Sequence, residues 1–329
     1  MTRNTIFGVV ALGAAIAAPF FTGNYGHYIL AMAAIYSFVG LGMYVLVGLG
    51  GQISIGHAAF WALGAYGSAV LTERFGLPFP VAVLSGGLIA GLFGVLVAMP
   101  ALRVQGHYLA IATLGLAIVV QQILFQWDDV TGGRQGMLVS RPSLLGYEIN
   151  DDGYYYLIIL ACLVLAIWLV RNFQSSFLGR SLNALRASPI AAQAAGISRS
   201  YHLIAAFAFS AALTGVSGAF FGHLLGQLST DSFTLQVSLS FLTMAVIGGL
   251  GSISGAIVGG IFMAVAPEML RDFQDAQNVI YGLLLIVCMR LLPGGLASLP
   301  ARCCKILNFK RQSSATAQSG TSQLGEVTK

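Results

Sequence analysis

Apolar stretches about as long as a bilayer is thick recur along the whole chain, and they fix the class of fold. A membrane-spanning helix needs about 20 mostly apolar residues. Candidates lie at residues 6–22, 28–48, 57–72, 79–99, 106–126, 154–170, 203–225, 235–250, 252–267 and 278–292. Of the 329 residues 57% are hydrophobic and 8% charged, whereas an ordinary soluble domain is about 25% charged. A soluble fold has no interior able to hide that much apolar surface. The expected architecture is all-α: a polytopic transmembrane helical bundle of about 10 spans filling residues 1–310. The segments 235–250 and 252–267 are short, so eight spans plus a re-entrant pair is the alternative, tolerated where protein or a cavity covers the backbone.

Charge supplies the orientation. With both termini on the cytoplasmic side, Arg3, Arg103, Arg171, Arg180, Arg186, Arg199, Arg290, Arg302, Lys305, Lys310, Arg311 and Lys329 fall inside, with Glu326 as the lone acid. Every other Asp and Glu falls outside, mostly in loops 127–153 and 268–275. This is the positive-inside pattern, and it accounts for the formal charge of +5 without nucleic acid, because the basic residues sit singly in loops. The first apolar segment, preceded by Arg3, reads as a retained first span in preference to a cleaved leader. Cys162, Cys288, Cys303 and Cys304 show no metal-ligand spacing and read as reduced structural residues, so no metal is expected. Residues 311–329 are small and polar and are expected to be a disordered cytoplasmic tail.

Two loops are long enough to carry structure of their own: the acidic outer loop 127–153 and the basic inner loop 171–201. In the inner loop a short amphipathic helix is expected after Pro189, stopped by Gly196 before the next span. Polar residues inside membrane segments are functional candidates by default: here Gln52, Ser54, His57, His107, Tyr108, Thr113, Gln121 and Gln122. His107, Leu114 and Gln121 recur every seven residues on one helix face. That face suits a cavity lining, and it equally suits hydrogen bonds between helices. The Gly-rich turns GLGGQISIG (48–56) and GGLGSISG (248–255) echo one another, both at the expected inner face, and a broken helix there exposes backbone groups able to hold a zwitterion. His202 and His223 read as interfacial or packing residues.

Several ordered motifs resemble the branched-chain amino-acid ABC permease family, and specifically the larger of its two permease subunits. They are GGQISIGHAAFWALGAY (50–66), RVQGHYLAIATLGLAIVV (103–120), TGGRQGM (131–137), GRSLNALRASPIAAQAAGIS (179–198), GGLGSISGAIVGG (248–260) and PGGLASL (293–299). Within the inner loop, Ala191, Ala192 and Gly196 keep the spacing of the cytoplasmic coupling helix of such permeases, with Ile190 where that motif usually has Glu. At Ala187 and Ser188 the family usually carries acidic or polar residues.

The resemblance implies an ABC importer in the bacterial inner membrane. It would combine this chain with a second, homologous permease, two cytoplasmic ATP-binding subunits and a periplasmic binding protein delivering branched-chain or other small amino acids. Arg180, Arg186, Ala191, Ala192, Gly196 and Ile197 would then couple to the ATPase. The alternative that the resemblance implies is an importer of urea or short amides by the same mechanism. No cofactor is expected in this chain: the lysines are Lys305, Lys310 and Lys329, and none sits in the GxxxxGK[ST] loop that cradles nucleotide phosphates. An ion-driven carrier would need membrane-embedded acids, and every acid falls in a loop or the tail. A channel gives no reason for the basic docking loop, and a membrane enzyme would need a convergent catalytic constellation that no motif supplies. The acidic residues Asp128, Asp129, Asp151 and Asp152 mark the expected landing surface of the receptor.

Overall fold

Helices form wherever the apolar runs continue, and Gly76, Gly226 and Gly249 each follow a helix end. The computed structural model describes residues 3–102, 106–144, 147–149 and 151–269, together with Gly282, Ile286, Gly295 and Leu296. In chain order come α1 (Arg3–Phe21), α2 (Asn24–Met43), α3 (His57–Phe75), α4 (Phe79–Ala101) and α5 (His107–Gln126). The outer loop contributes the single turn α6 (Asp128–Thr131) and the short strands β1 (Met137–Leu138), β2 (Ser143–Leu144) and β3 (Tyr147–Glu148). Then follow α7 (Asp152–Ser175), α8 (Phe177–Ala187), α9 (Pro189–Ala194), α10 (Arg199–Leu225), β4 (Gln227–Leu228), α11 (Leu235–Gly248) and α12 (Ile253–Met269). The expected segment 278–292, the PGGLASL station, Cys288, Cys303, Cys304 and the tail lie outside the described residues, apart from the four positions named above.

Among the described residues, five helices are long and apolar enough to cross a membrane: Asn24–Leu49, Phe79–Pro100, Tyr108–Gln126, Asp152–Ser175 and Arg199–Leu225. The short pair expected near residue 250 forms a tight hairpin of two helices, α11 and α12. At 1.5 Å per residue their 14 and 17 residues span about 21 and 26 Å, less than the roughly 30 Å hydrocarbon core. The turn between them bends at Gly249 (φ 107°), and a Cβ on Gly248 would lie 2.2 Å from the Gly255 carbonyl oxygen.

The core is a bundle of α2, α3, α4 and α10 held at backbone distance. His57, Trp61 and Ser68 of α3 meet Ser210, Ser217 and His223 of α10 in ascending order, so these two helices run parallel. Gly87, Gly91 and Gly94 of α4 meet α10 in descending order, through Ala212, Ala208 and Phe207, so α4 runs antiparallel to both. Trp61 is buried at the centre, with Phe221 at 4.1 Å, Phe241 at 5.2 Å and Phe233 at 5.3 Å between ring centroids. Its indole N–H donates to Ser217 Oγ (3.2 Å), and Ser217 donates to the Ile35 carbonyl of α2 (2.8 Å). Interhelical bonds of this kind satisfy hydroxyls that lipid cannot.

The loops sort to two ends of this bundle. At one end Arg74 donates to the Asp129 carbonyl, the Glu73 carboxylate accepts from the Ser140 amide, and β1 pairs antiparallel with β4. His27 lies 3.6 Å from Asp151 at the same end. At the other, Arg186 meets Gly48, and Gly48 meets Leu250. The acidic and basic loops separated by charge in the sequence are therefore separated in space as well.

Candidate functional site

The helix that begins as α2 does not end in an ordinary cap. Its last turn, Tyr44–Leu49, widens to a π-helix, with Gly50 N bonded to Val45 O (3.2 Å) and Gln52 N to Leu46 O (3.1 Å). Wider turns of this kind often mark functional breaks. Gly51 adopts a left-handed backbone (φ 65°) while its amide still reaches Val47 O (3.1 Å), and residues 51–56 lie outside any helix until α3 starts at His57.

Four other helices close around this break. From α5, Thr113 Oγ1 accepts from the Ile55 amide (3.0 Å) and donates to the Ala110 carbonyl (3.0 Å). From α11, Ser238 Oγ accepts from the Ala58 amide (3.2 Å). On α10, Ser210 donates to the Gly42 carbonyl (2.7 Å), so its oxygen is left to accept from His57 Nε2–H (3.1 Å). Among the described residues no hydrogen bond within normal geometry reaches the buried His57 Nδ1. From α8, Arg186 donates to the Gly48 carbonyl, and its aliphatic stem packs where a Cβ on Gly51 would sit, 2.8 Å from Arg186 Cγ. The second Gly-rich turn joins the same place: a Cβ on Gly48 would lie 2.4 Å from the Leu250 carbonyl oxygen. The two echoing turns of the sequence thus abut one another.

The candidate polar residues divide accordingly. Ser54, His57 and Thr113 are buried at the break, Ser54 accepting from the Gly56 amide (3.3 Å). Gln52 is half-buried and folds back onto the Gly50 carbonyl (3.1 Å). Tyr108 is 74% exposed and lies away from the break. Gln121 is half-buried and Gln122 exposed farther along α5, and the side chain of His107 lies outside the described residues. Sequence reasoning passed over Ser210, Ser217 and Ser238. The spacing of Ser210, Thr214 and Ser217 on one face of α10 was the available signal. Replacing Thr113 with Val, which keeps the shape and removes two hydrogen bonds at a buried site, is expected to cost about 1–3 kcal/mol. Thermal unfolding of the purified protein in detergent reads this out, with Thr113→Ser near wild type.

The inner loop folds into two short capped helices, α8 and α9. Ser176 Oγ caps α8 and Ser188 Oγ caps α9, each accepting an amide three residues on (3.4 and 3.3 Å). Leu182 and Leu185 of α8 are buried, and so is Ala192 of α9. Ile190 projects from the first turn of α9 and is 84% exposed, beside exposed Ala191. Gly196 (φ 83°) ends α9 and Ile197 is half-buried, while Arg180 is exposed and donates to the Ser175 carbonyl.

A family model described as the branched-chain amino acid transport system permease component matches residues 25–289. The chain is 32% identical to the high-affinity branched-chain amino acid transport system permease protein LivM of Escherichia coli, an alignment covering 89% of this chain and 75% of LivM. With LivH of the same organism identity is 23%, over 82% of this chain and 93% of LivH. The fructose import permease protein FrcC of Rhizobium meliloti is 25% identical, over 87% of this chain and 82% of that protein. No solved structure matches. With most of its length matched by that family model and its apolar helices able to cross a bilayer, this chain belongs to the branched-chain amino acid transport permease family, a family of membrane transport proteins.

Proposed function

We propose that the chain is one permease subunit of an ATP-driven, binding-protein-dependent importer of the bacterial inner membrane, forming the path for branched-chain or other small amino acids. It works beside a second, homologous permease; LivM and LivH are both named as permease proteins of a high-affinity branched-chain system. Two cytoplasmic ATP-binding subunits supply the hydrolysis, and a periplasmic receptor supplies the cargo. The similarity to a fructose permease supports a reading in which one architecture serves chemically different cargo, with most of the selection made by the receptor.

The observation that carries this reading is the inner loop. Its tip presents Ile190, 84% exposed, to the aqueous side, while four residues earlier Arg186 grips the break between the π-turn and α3. Phe177 of α8 is exposed as well, and large apolar side chains presented on capped helices are what a partner's pocket takes up. A partner that moves this tip moves Arg186, and with it Gly48, Gly51 and the adjoining turn at Leu250. Closure of the ATP-binding subunits therefore reaches the helix break by a short path of direct contacts.

Ile190→Asp tests the docking step. With the ATP-binding subunits co-expressed and a tag on this chain, the Asp variant is expected to lose at least nine-tenths of the co-purified ATP-binding subunit, and Ile190→Leu to keep it. Full recovery with Asp at the tip removes the docking assignment.

A further inference from the structure

The faces that the bundle leaves uncovered differ in chemistry. On α4 the exposed stripe is Leu84, Leu88, Leu92 and Leu96, and on α7 it includes Leu165, Trp168 and Leu169. Lipid solvates such stripes without cost. On α5 the exposed stripe mixes Ile111, Ile118 and Val119 with Gln122 and Gln126, and a Cβ on Gly115 would meet nothing within 4 Å. A carboxamide turned to hydrocarbon loses its hydrogen bonds at a cost of several kcal/mol, so this stripe belongs against water or protein.

The stripe opens at its outer end into a cavity of about 840 Å³ lined by Phe125, Gln126, Asp128, Gly132, Arg134 and Gln135. That volume lies in the range of small-molecule sites. The cavity wall is built rigidly. Thr131, buried beneath it, donates toward the Leu124 (2.6 Å) and Trp127 (2.9 Å) carbonyls and accepts from the Gly133 amide (3.2 Å). Gly133 has φ 52°, and a Cβ there would fall 1.7 Å from Asp128 Oδ1, so the carboxylate rests in space that only glycine leaves. The Arg134 guanidinium is held 5.0 Å over the Phe125 ring. Neither charge is spent elsewhere: among the described residues the ion pairs are His27 with Asp151 and Arg141 with Asp152.

We propose that this cavity is the first binding station for cargo in the membrane subunit, taking the zwitterionic head of an α-amino acid with its carboxylate toward Arg134 and its ammonium toward Asp128. Gln126 and Gln135 offer further donors and acceptors, and Phe125 offers an apolar wall for the side chain. From here Gln122, one turn further in on α5, leads inward. The proposal deepens the importer reading and rests on it.

The test uses the assembled complex in nanodiscs with Cys162, Cys288, Cys303 and Cys304 replaced by Ser and Gln126→Cys as reporter. The labelling rate with N-ethylmaleimide is followed in nucleotide-free and ATP-bound states, with receptor absent. A mixture of leucine, isoleucine and valine is expected to slow labelling at least threefold in one of the two states. Isovalerate and isoamylamine, each lacking one of the two charges, leave it unchanged. Asp128→Asn and Arg134→Gln each abolish the protection, and Arg134→Lys, which keeps the charge, retains part of it. Labelling that ignores the amino acids in both states, while loaded receptor still stimulates ATP hydrolysis, overturns the proposal and leaves the importer standing. Protection without any stimulation of hydrolysis counts against the importer alone.

Discussion

Replacing Gly218 with Val is expected to leave almost no folded protein in the membrane. A Cβ at this position would lie 1.9 Å from the Trp61 carbonyl oxygen and 2.8 Å from its carbonyl carbon, both backbone atoms of the parallel helix α3. The same seam is closed from the other side, where a Cβ on Gly64 would lie 2.1 Å from the Gly215 oxygen. A flexible side chain can rotate away from an added methyl, but a helix backbone must translate. That shift opens the aromatic cluster around Trp61 and breaks its bond to Ser217. Overpacking alone costs about 1–3 kcal/mol, and the lost hydrogen bond adds about 1 kcal/mol, so the total is on the order of 3 kcal/mol or more. Gly222→Ala is the control, because its nearest neighbour is the flexible end of Leu228 at 3.3 Å. Monodisperse yield after detergent extraction separates the two: near zero for Gly218→Val, near wild type for Gly222→Ala. Equal yields would mean that the seam can open without harm.

Arg186→Ala is expected to produce a complex that assembles but does not transmit. Its guanidinium bonds the Gly48 carbonyl across 138 residues of chain, at the junction of the π-turn and the break. A hydrogen bond to a charged group is worth about 1.5–3 kcal/mol, roughly ten- to hundredfold in the balance between two arrangements of the break. Receptor-stimulated ATP hydrolysis should fall by that factor, with the ATP-binding subunits still co-purifying through Ile190. Arg186→Lys keeps a cation but not the planar fork of donors, and should fall between. A complex without Arg186 that still answers the receptor fully would place the coupling contact elsewhere.

The helical class and the sorting of loops to two ends were legible because lipid enforces them: apolar length and the placement of Arg against Asp and Glu act residue by residue. The break at 50–56 was legible from GLGGQISIG, since Gly51 needs its positive φ and no periodic apolar face bridges the gap. Which polar residues gather there was legible only in part. Tyr108 shares α5 with Thr113 but projects to the opposite side, and helix spacing alone does not say which face a neighbour covers. Glycine spacing had the same limit. Gly218 crosses Trp61 at backbone distance, whereas Gly226, eight residues on, is the left-handed cap of α10, and a Cβ on Gly251 would meet nothing within 4 Å. Arg186 read as a basic loop residue facing a partner. The structure turns it inward onto Gly48, a contact between residues far apart in sequence that no local pattern encodes. In the outer loop, Asp151 also caps α7 by accepting from the Gly153 amide (2.8 Å), so a charge reversal there perturbs a helix end as well as a surface.

This permease is expected to move its cargo only when partner subunits hydrolyse ATP. The direct measurement is uptake and ATP hydrolysis together, in proteoliposomes containing this chain, its neighbouring permease and both ATP-binding subunits, with candidate receptors added outside. Hydrolysis stimulated severalfold by loaded receptor, with accumulation of that receptor's amino acid against a gradient, is the predicted result. Solute movement by this chain alone, without ATP or receptor, would contradict it and make the protein a carrier or channel.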